Sequence, residues 1–290
     1  VSPAFLFAAL LWHEVLAAWK KREAKGERRT AALESAIAEF SRRERRFGGL
    51  RRLYGEAAYA RLRAARVVVV GIGGVGSWAA EALARSGVAE LTLVDLDHVA
   101  ESNINRQVHA LERTLGQAKV LAMKERIADI HPGCLVHDVD EFVDEQNVAD
   151  LLQANPVDAV IDCCDQVRAK AALAAWAMQH GVPVVMVGAA GGKSRPQLVE
   201  TADLVEVTHD PLLSNVRQRL RQRHGAARKG RIGVHCVFSR EAVRPPQDAA
   251  CDTSGNDGSL NCHGYGSSVT VTATFGLVAA AEVINTLIKT

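Results

Sequence analysis

The stretch Val67-Val-Val-Val-Gly-Ile-Gly-Gly-Val-Gly-Ser77 leaves this chain few ways to fold. Four β-branched residues in succession fit a strand buried on both faces, as strands inside parallel sheets are. Gly71, Gly73 and Gly76 then form a tight turn, and Val75 to Arg85 has helical composition. Glycine lets the backbone bend sharply and approach a ligand, and a helix N-terminus offers free N–H groups to phosphate. Gly71-x-Gly73-x-x-Gly76 matches the dinucleotide fingerprint. Asp95 follows 19 residues after Gly76, at the end of the next strand, placed for a ribose hydroxyl. These residues specify a nucleotide site without specifying which nucleotide.

Reading outward, strands are expected at 67–70, 91–95, 135–139, 158–162 and 183–187. They alternate with helices at 75–85, 117–130, 146–153 and 167–179, the last capped by Gly181. Such alternation predicts an α/β fold, a Rossmann-like doubly wound and mostly parallel sheet. Ligands then bind at the carboxyl ends of the strands, here Gly71, Asp95, Asp162 to Asp165, and Gly188. The last third adds a C-terminal strand, loop and helix region. It comprises a strand at 197–201, a helix from Asp210-Pro211 to about Arg223, a strand at 232–238 and a long loop at 245–267. An apolar helix at 268–289 closes the chain, expected to cover the sheet because Glu282 interrupts it and Gly276 weakens it as a span.

The N-terminal side differs in character. Residues 1–19 place Phe5, Ala9, Trp12, Leu16 and Trp19 on one helical face. The uncharged run stops at His13-Glu14, short of the ~20 residues a spanning helix needs. Lys20-Lys21-Arg22 follow the apolar run, whereas a secretory signal has its charges before it. An amphipathic helix that docks on protein or lies on a membrane surface is expected, with a true anchor as the alternative. Residues 20–45 read as a charged helix, 46–55 as a break and 56–65 as a short helix. Lys20 to Arg66 carries 15 Lys or Arg against 6 Glu, whereas Val67 onward carries 20 against 26 acids. A basic arm of this kind suits nucleic acid or an anionic membrane, the plainer alternative being a solvated helical face. A second basic cluster comprises Arg217, Arg219, Arg221, Arg223, Arg228, Lys229 and Arg231. The six cysteines include no Cys-x-x-Cys pair, so no structural zinc is expected. They favour a reducing, cytoplasmic setting, with membrane association left open through residues 1–19.

Beyond the glycine turn come Asp95-Leu-Asp97, then Asn103, Arg106 and Lys119, with Asp165 at the mouth of the fourth strand. Hydride transfer gives no reason for this set. Arg and Lys offset the charge that builds up as a phosphoester breaks, and a carboxylate such as Asp165 can hold Mg²⁺. Any one of these residues alone reads as a salt bridge or a helix cap. Their convergence on one sheet edge favours a triphosphate over a nicotinamide.

This ordered set resembles the E1-like adenylating family (ThiF/MoeB/HesA type), over about Arg46 to Phe275. The resemblance implies activation of a carboxylate by ATP with release of pyrophosphate. It implies that Gly73, Gly74 and Ser77 line the phosphate turn, where the fingerprint already puts Gly71 and Gly76 beside the nucleotide, and that Asp95 binds the ribose. Asn103, Arg106 and Lys119 would contact the phosphates, Asp165 the Mg²⁺, and Arg46 or Arg52 would be lent across a homodimer interface. Other segments are closest to the family's tRNA-modifying branch, which acts on threonylcarbamoyladenosine beside the anticodon. They are Arg46-Phe-Gly-Gly, Arg52-Leu-Tyr-Gly, Gly188-Ala-Ala-Gly-Gly192, Asp210-Pro-Leu, Gly233-Val-His-Cys-Val-Phe-Ser239 and Val271-Thr-Ala-Thr-Phe-Gly276. That branch implies a tRNA partner gripped by the cluster from Arg217 to Arg231, and sulfur-acceptor or cysteine-desulfurase proteins as further partners. The alternative within the family activates the C-terminal glycine of a sulfur-carrier protein. Those members usually carry two Cys-x-x-Cys zinc pairs, which this chain lacks. Cys236 is a candidate nucleophile, with buried packing as the plainer role. The division expected is an extension at 1–45 and an adenylation domain at 46–290, its region from about 197 onward meeting the tRNA.

Overall fold

The computed structural model describes residues 15–16, 29–244 and 265–289. Most of the apolar segment 1–19, and the loop at 245–264 with Cys251 and Cys262, lie outside the described residues. The chain divides into two units, Val1–Glu56 and Ala57–Thr290.

In the first unit, α1 (Arg29–Tyr54) runs without interruption through Gly48-Gly49, where the sequence predicted a break. Each glycine costs a helix interior about 1 kcal/mol relative to alanine, too little to interrupt a helix carried on by both flanks. The stop comes at Gly55, whose φ of +82° is left-handed and whose N–H reaches the Arg51 carbonyl at 2.9 Å. Arg46 and Arg52 both lie on α1.

α2 (Glu56–Leu62) begins on the last residue of the first unit, and the second unit then alternates. β1 (Arg66–Val70) leads to α3 (Gly76–Arg85), β2 (Glu90–Val94) to α4 (Lys119–Ile130), and β3 (Leu135–Val139) to α5 (Val148–Gln153). β4 (Ala159–Asp162) leads to α6 (Val167–His180) and β5 (Val184–Val187). β6 (Val199–Asp203), α7 (Pro211–Arg223), β7 (His235–Ser239) and α8 (Val269–Leu287) complete the chain.

The sheet order is β3-β2-β1-β4-β5-β7-β6, parallel throughout except for β6 on β7. β1 pairs with β2 on one side and β4 on the other, Val70 lying opposite both Val94 and Asp162. The order therefore reverses between β1 and β4, which opens a crevice at their carboxyl ends. Val68 and Val70 pack into one core with Met186 and with residues of α5, α6 and α7. Strand alternation turns Val67 and Val69, equally buried, to the other face.

α8 is long and apolar enough to cross a membrane by length and composition. In this fold Val271, Phe275, Ala279 and Val283 are buried, and α8 packs on α3. A Cβ at Gly276 would stand 2.3 Å from the Val75 carbonyl, so the glycine permits the close helix crossing. The expected covering role holds.

Candidate active site

The turn after β1 owes its glycines to two different causes. Gly71 has φ +83°, its N–H bonds the Val94 carbonyl at 2.8 Å, and a Cβ would lie 2.9 Å from the Cys163 carbonyl of the neighbouring strand end. At Gly76 a Cβ would come within 1.8 Å of the Gly71 oxygen. The fold itself demands these two. Gly73 has no left-handed φ, and a Cβ there would meet nothing within 4 Å. It borders the cleft, and its missing side chain leaves room for a ligand. Gly73→Ala is therefore expected to leave folding stability unchanged or raised by up to about 1 kcal/mol. It should weaken nucleotide binding about tenfold, roughly 1.4 kcal/mol, in calorimetric titration. Unchanged affinity would show that the nucleotide does not approach Gly73.

The cleft has a volume of about 730 Å³ and is bordered by the turn, Asp95, Asn103, Arg106, Lys119 and Asp165. Asp95 has a side chain only 10% exposed. Its Oδ2 accepts the Ile72 N–H at 2.6 Å and its Oδ1 the Asp97 N–H at 2.9 Å, so the carboxylate also braces the glycine turn. Burial pushes its carboxyl up, against the opposing pull of Lys119 and the two N–H groups. Lys119 Nζ sits 2.6 Å from Asp97 Oδ2 and 3.9 Å from Asp95 Oδ1, which places it at the Asp95 end of the cleft between two carboxylates. Asn103 is buried and its Oδ1 accepts the Ala100 N–H at 3.1 Å, leaving the amide N–H₂ to serve the cleft.

Arg106 Nη1 donates to the Ser102 carbonyl at 2.6 Å and to Asn105 Oδ1 at 3.0 Å, while its own carbonyl accepts the Trp78 indole N–H. It borders the cleft and also a smaller adjoining pocket of about 150 Å³. That pocket also shares Gly73, Gly74, Cys163, Asp165, Tyr265 and Ser267 with the cleft, and its other walls include Val187 to Gly191, Leu212 and Thr272. Asp165 is open to solvent in the concave floor, where the surrounding protein still desolvates its carboxyl and pushes it up. Among the described residues no group of three or more His, Cys, Asp or Glu is placed to hold a metal.

Some expected residues fall elsewhere. Ser77 is fully buried and its Oγ accepts the Val108 N–H at 3.3 Å, so its hydroxyl fastens α3 to the loop before α4 and does not face the cleft. Gly76 closes the turn against Gly71 and Cys163 and borders neither cavity. Cys236 is fully buried in β7, where burial pushes its thiol up and away from the reactive thiolate. Packing is its role.

The residues of the basic cluster differ in what holds them. Arg217 Nη1 donates to the Leu204 and Val207 carbonyls, and Arg219 pairs with Glu145. Arg221 donates to the Ala227 carbonyl at 3.2 Å. Arg223, Arg228 and Lys229 are exposed, and Arg231 is 82% exposed although 3.7 Å from Asp203.

Two sets of contacts behind the cleft were not foreseen. Lys170 and Asp162 are both wholly buried, with Nζ 3.1 Å from Asp162 Oδ1 and 3.3 Å from the Asp162 carbonyl. Burial alone would lower the Lys170 pKa, but the facing carboxylate outweighs it and raises it, so the ammonium stays charged. The only sequence signal is a lysine in the alanine-rich run of α6. Asp210 makes the second set. Its Oδ1 caps α7 at Leu213 N and its Oδ2 accepts the Ala189 N–H at 2.9 Å, joining α7 to the wall of the smaller pocket. The Asp-Pro start reveals the cap. The bond to Ala189 depends on tertiary contact.

Residues 47–290 match the ThiF family. The tRNA threonylcarbamoyladenosine dehydratase of Haemophilus influenzae is 41% identical over 259 residues, covering 88% of this chain and 98% of that protein. The enzyme of the same name from Escherichia coli is 45% identical over 247 residues, covering 82% and 92%. A crystal structure of the E. coli enzyme in complex with ATP superposes with a TM-score of 0.76 at 43% identity, covering 85% of this chain and 95% of that one.

Proposed function

This chain belongs to the ThiF family, and from that membership we propose that it is an ATP-dependent tRNA threonylcarbamoyladenosine dehydratase. The observation that carries the proposal is the joining of two cavities over Gly73, Gly74, Arg106 and Asp165. One is large enough for a nucleotide and the other fits a short acyl chain, so a carboxylate can meet an α-phosphate where they join.

In the first step a carboxylate oxygen of the threonylcarbamoyl group attacks the α-phosphorus of ATP. The bond between the α- and β-phosphates breaks, leaving an acyl-adenylate and pyrophosphate. Arg106, at the junction, offsets the charge developing on the departing pyrophosphate. In the second step a nitrogen or oxygen of the same side chain attacks the acyl carbon, AMP leaves, and the ring closes with net loss of water. The attack is intramolecular, so proximity replaces an enzyme nucleophile, in keeping with the buried thiol of Cys236.

Asp95 holds the ribose through lone pairs left free by its two backbone bonds, and Lys119 supplies positive charge beside it. Mg²⁺ fits this site, because it is commonly held by one or two carboxylates together with phosphate oxygens. Asp165 is the carboxylate that would hold it, and the ion would neutralise phosphate charge. The exposed Arg223, Arg228, Lys229 and Arg231 meet the tRNA backbone. We assign the extension before residue 46 no part in the chemistry. Arg46 or Arg52 of α1 completes the site of a homodimer partner, and the enzyme works where tRNA is, in the cytoplasm.

The test is pyrophosphate release with threonylcarbamoyl-modified tRNA, with unmodified tRNA, with a carrier protein ending in glycine, or with none of these. Release is expected with modified tRNA alone, accompanied by a product nucleoside lighter by one water. Release with the carrier alone overturns the assignment.

A further inference from the structure

A third cavity, about 560 Å³ and shallow, shares no residue with the nucleotide cleft. Its walls come from α5, α6 and the end of α7. Trp176, Arg219, Arg223 and His224 supply one polar side, against the small apolar Val148, Ala149, Ala172 and Ala175. Trp176 Nε1, Arg219 Nε and His224 Nε2 are buried, and none has a hydrogen-bond partner among the described residues. An indole N–H and a guanidinium Nε–H only donate, so the group that completes them carries acceptors.

The charges agree. Glu145 is the one acid in the wall and is already paired with Arg219, which holds its carboxyl low, with His224 and Arg168 adding to the same positive field. Arg223 is exposed at the rim, and Arg228 and Lys229 follow it, exposed as well. Donors without partners, an excess of positive charge and room for a ligand coincide here, which neither the cap of α7 nor the core requires.

We propose that this pocket seats a backbone phosphate of the RNA substrate, with Arg219, Arg223 and His224 as its donors. The inference rests on the tRNA assignment above and adds to it the place where the strand is anchored. Position supports it. Asp210 at the start of α7 touches the wall of the acyl pocket, and Arg219 and Arg223 lie roughly 13 and 20 Å further along the helix at 1.5 Å per residue. A strand with one base in the cleft has several phosphates within that reach. The partition of the basic cluster follows as well. Arg217 and Arg221 are spent on carbonyls, whereas Arg219 and Arg223 line a cavity.

The test is fluorescence anisotropy of labelled, modified tRNA with the whole protein, over salt from about 50 to 200 mM, for wild type, Arg223→Ala and Trp176→Phe. Arg223→Ala, an exposed side chain whose loss leaves the core intact, should weaken tRNA binding about fivefold to tenfold. It should also reduce the slope of log affinity against log salt by about 0.7–0.9. Trp176→Phe should weaken binding by a smaller factor with little change of slope, and ATP affinity should be unchanged in both. Wild-type affinity and slope in Arg223→Ala overturn this inference while tRNA-dependent turnover leaves the enzymatic assignment standing. Failure of the wild-type protein to bind modified tRNA overturns both. A parallel arm titrates inorganic phosphate. Phosphate that displaces tRNA weakly, and less so in Arg223→Ala, supports the inference. Tight Arg223-dependent phosphate binding that leaves tRNA affinity untouched makes the pocket a site for a free anion and overturns it.

Discussion

Arg106→Ala is expected to lower kcat/KM for tRNA-dependent pyrophosphate release by about 10²–10³-fold, equivalent to about 2.7–4 kcal/mol of lost transition-state stabilisation. Arg106 borders both cavities, and oxygens of Ser102 and Asn105, neither of them a carboxylate, hold its guanidinium. Lys119, the other cation expected to act on phosphate, is taken up by Asp97 at 2.6 Å. Arg106 therefore carries more of the burden at the point where charge develops. The fold should hardly notice its loss. The bond from Trp78 goes to the backbone carbonyl, which alanine keeps, and the two side-chain bonds are exposed. Thermal unfolding and ATP titration alongside the kinetics separate the effects. Arg106→Lys should recover only part of the activity, because an ammonium lacks the planar fork. Turnover within about threefold of wild type in Arg106→Ala would move the charge-stabilising role elsewhere.

Lys170→Met should be the most destabilising of the substitutions considered, by about 3–5 kcal/mol. Both partners of the pair are wholly buried. Without the ammonium, Asp162 keeps only the Cys164 N–H and thiol on Oδ1 among the described residues, where its Oδ2 has no partner even now. A lone buried carboxylate is the expensive outcome. Adding Asp162→Asn to Lys170→Met removes that charge and keeps an acceptor for the Cys164 N–H. The double variant should therefore recover most of the loss, and urea unfolding of the four proteins in the cycle gives the coupling directly. A cost below about 1 kcal/mol for Lys170→Met would show that the pair contributes little to stability. The pair also touches function. Lys170 holds the carbonyl of Asp162, the residue from which the chain turns through Cys163 and Cys164 to Asp165. Loosening that turn should raise KM for ATP even where the variant remains folded.

The limits of sequence reasoning follow the range of each interaction. A run of valines, a left-handed glycine and an Asp-Pro helix start act within a few residues. β1, the turn at Gly71 and the cap at Asp210 were accordingly legible, as was the apolar α8. The break expected over 46–55 does not form at Gly48-Gly49, a local penalty outweighed by its flanks. Ser77 sits at the right spacing for a phosphate turn, yet the N–H it serves belongs to Val108, 31 residues away.

The chain's own pattern thus determined a buried strand, a glycine turn and a nucleotide site at a sheet edge, because these rest on backbone angles and a two-residue repeat. Tertiary structure decided which charges were left to act. Lys119 was drawn to Asp97, Lys170 to Asp162, and Arg217 and Arg221 to backbone carbonyls, whereas Arg106, Arg219 and Arg223 were left lining cavities. A side chain's availability depends on which carbonyl or carboxylate the fold brings beside it, and residue spacing carries no record of that.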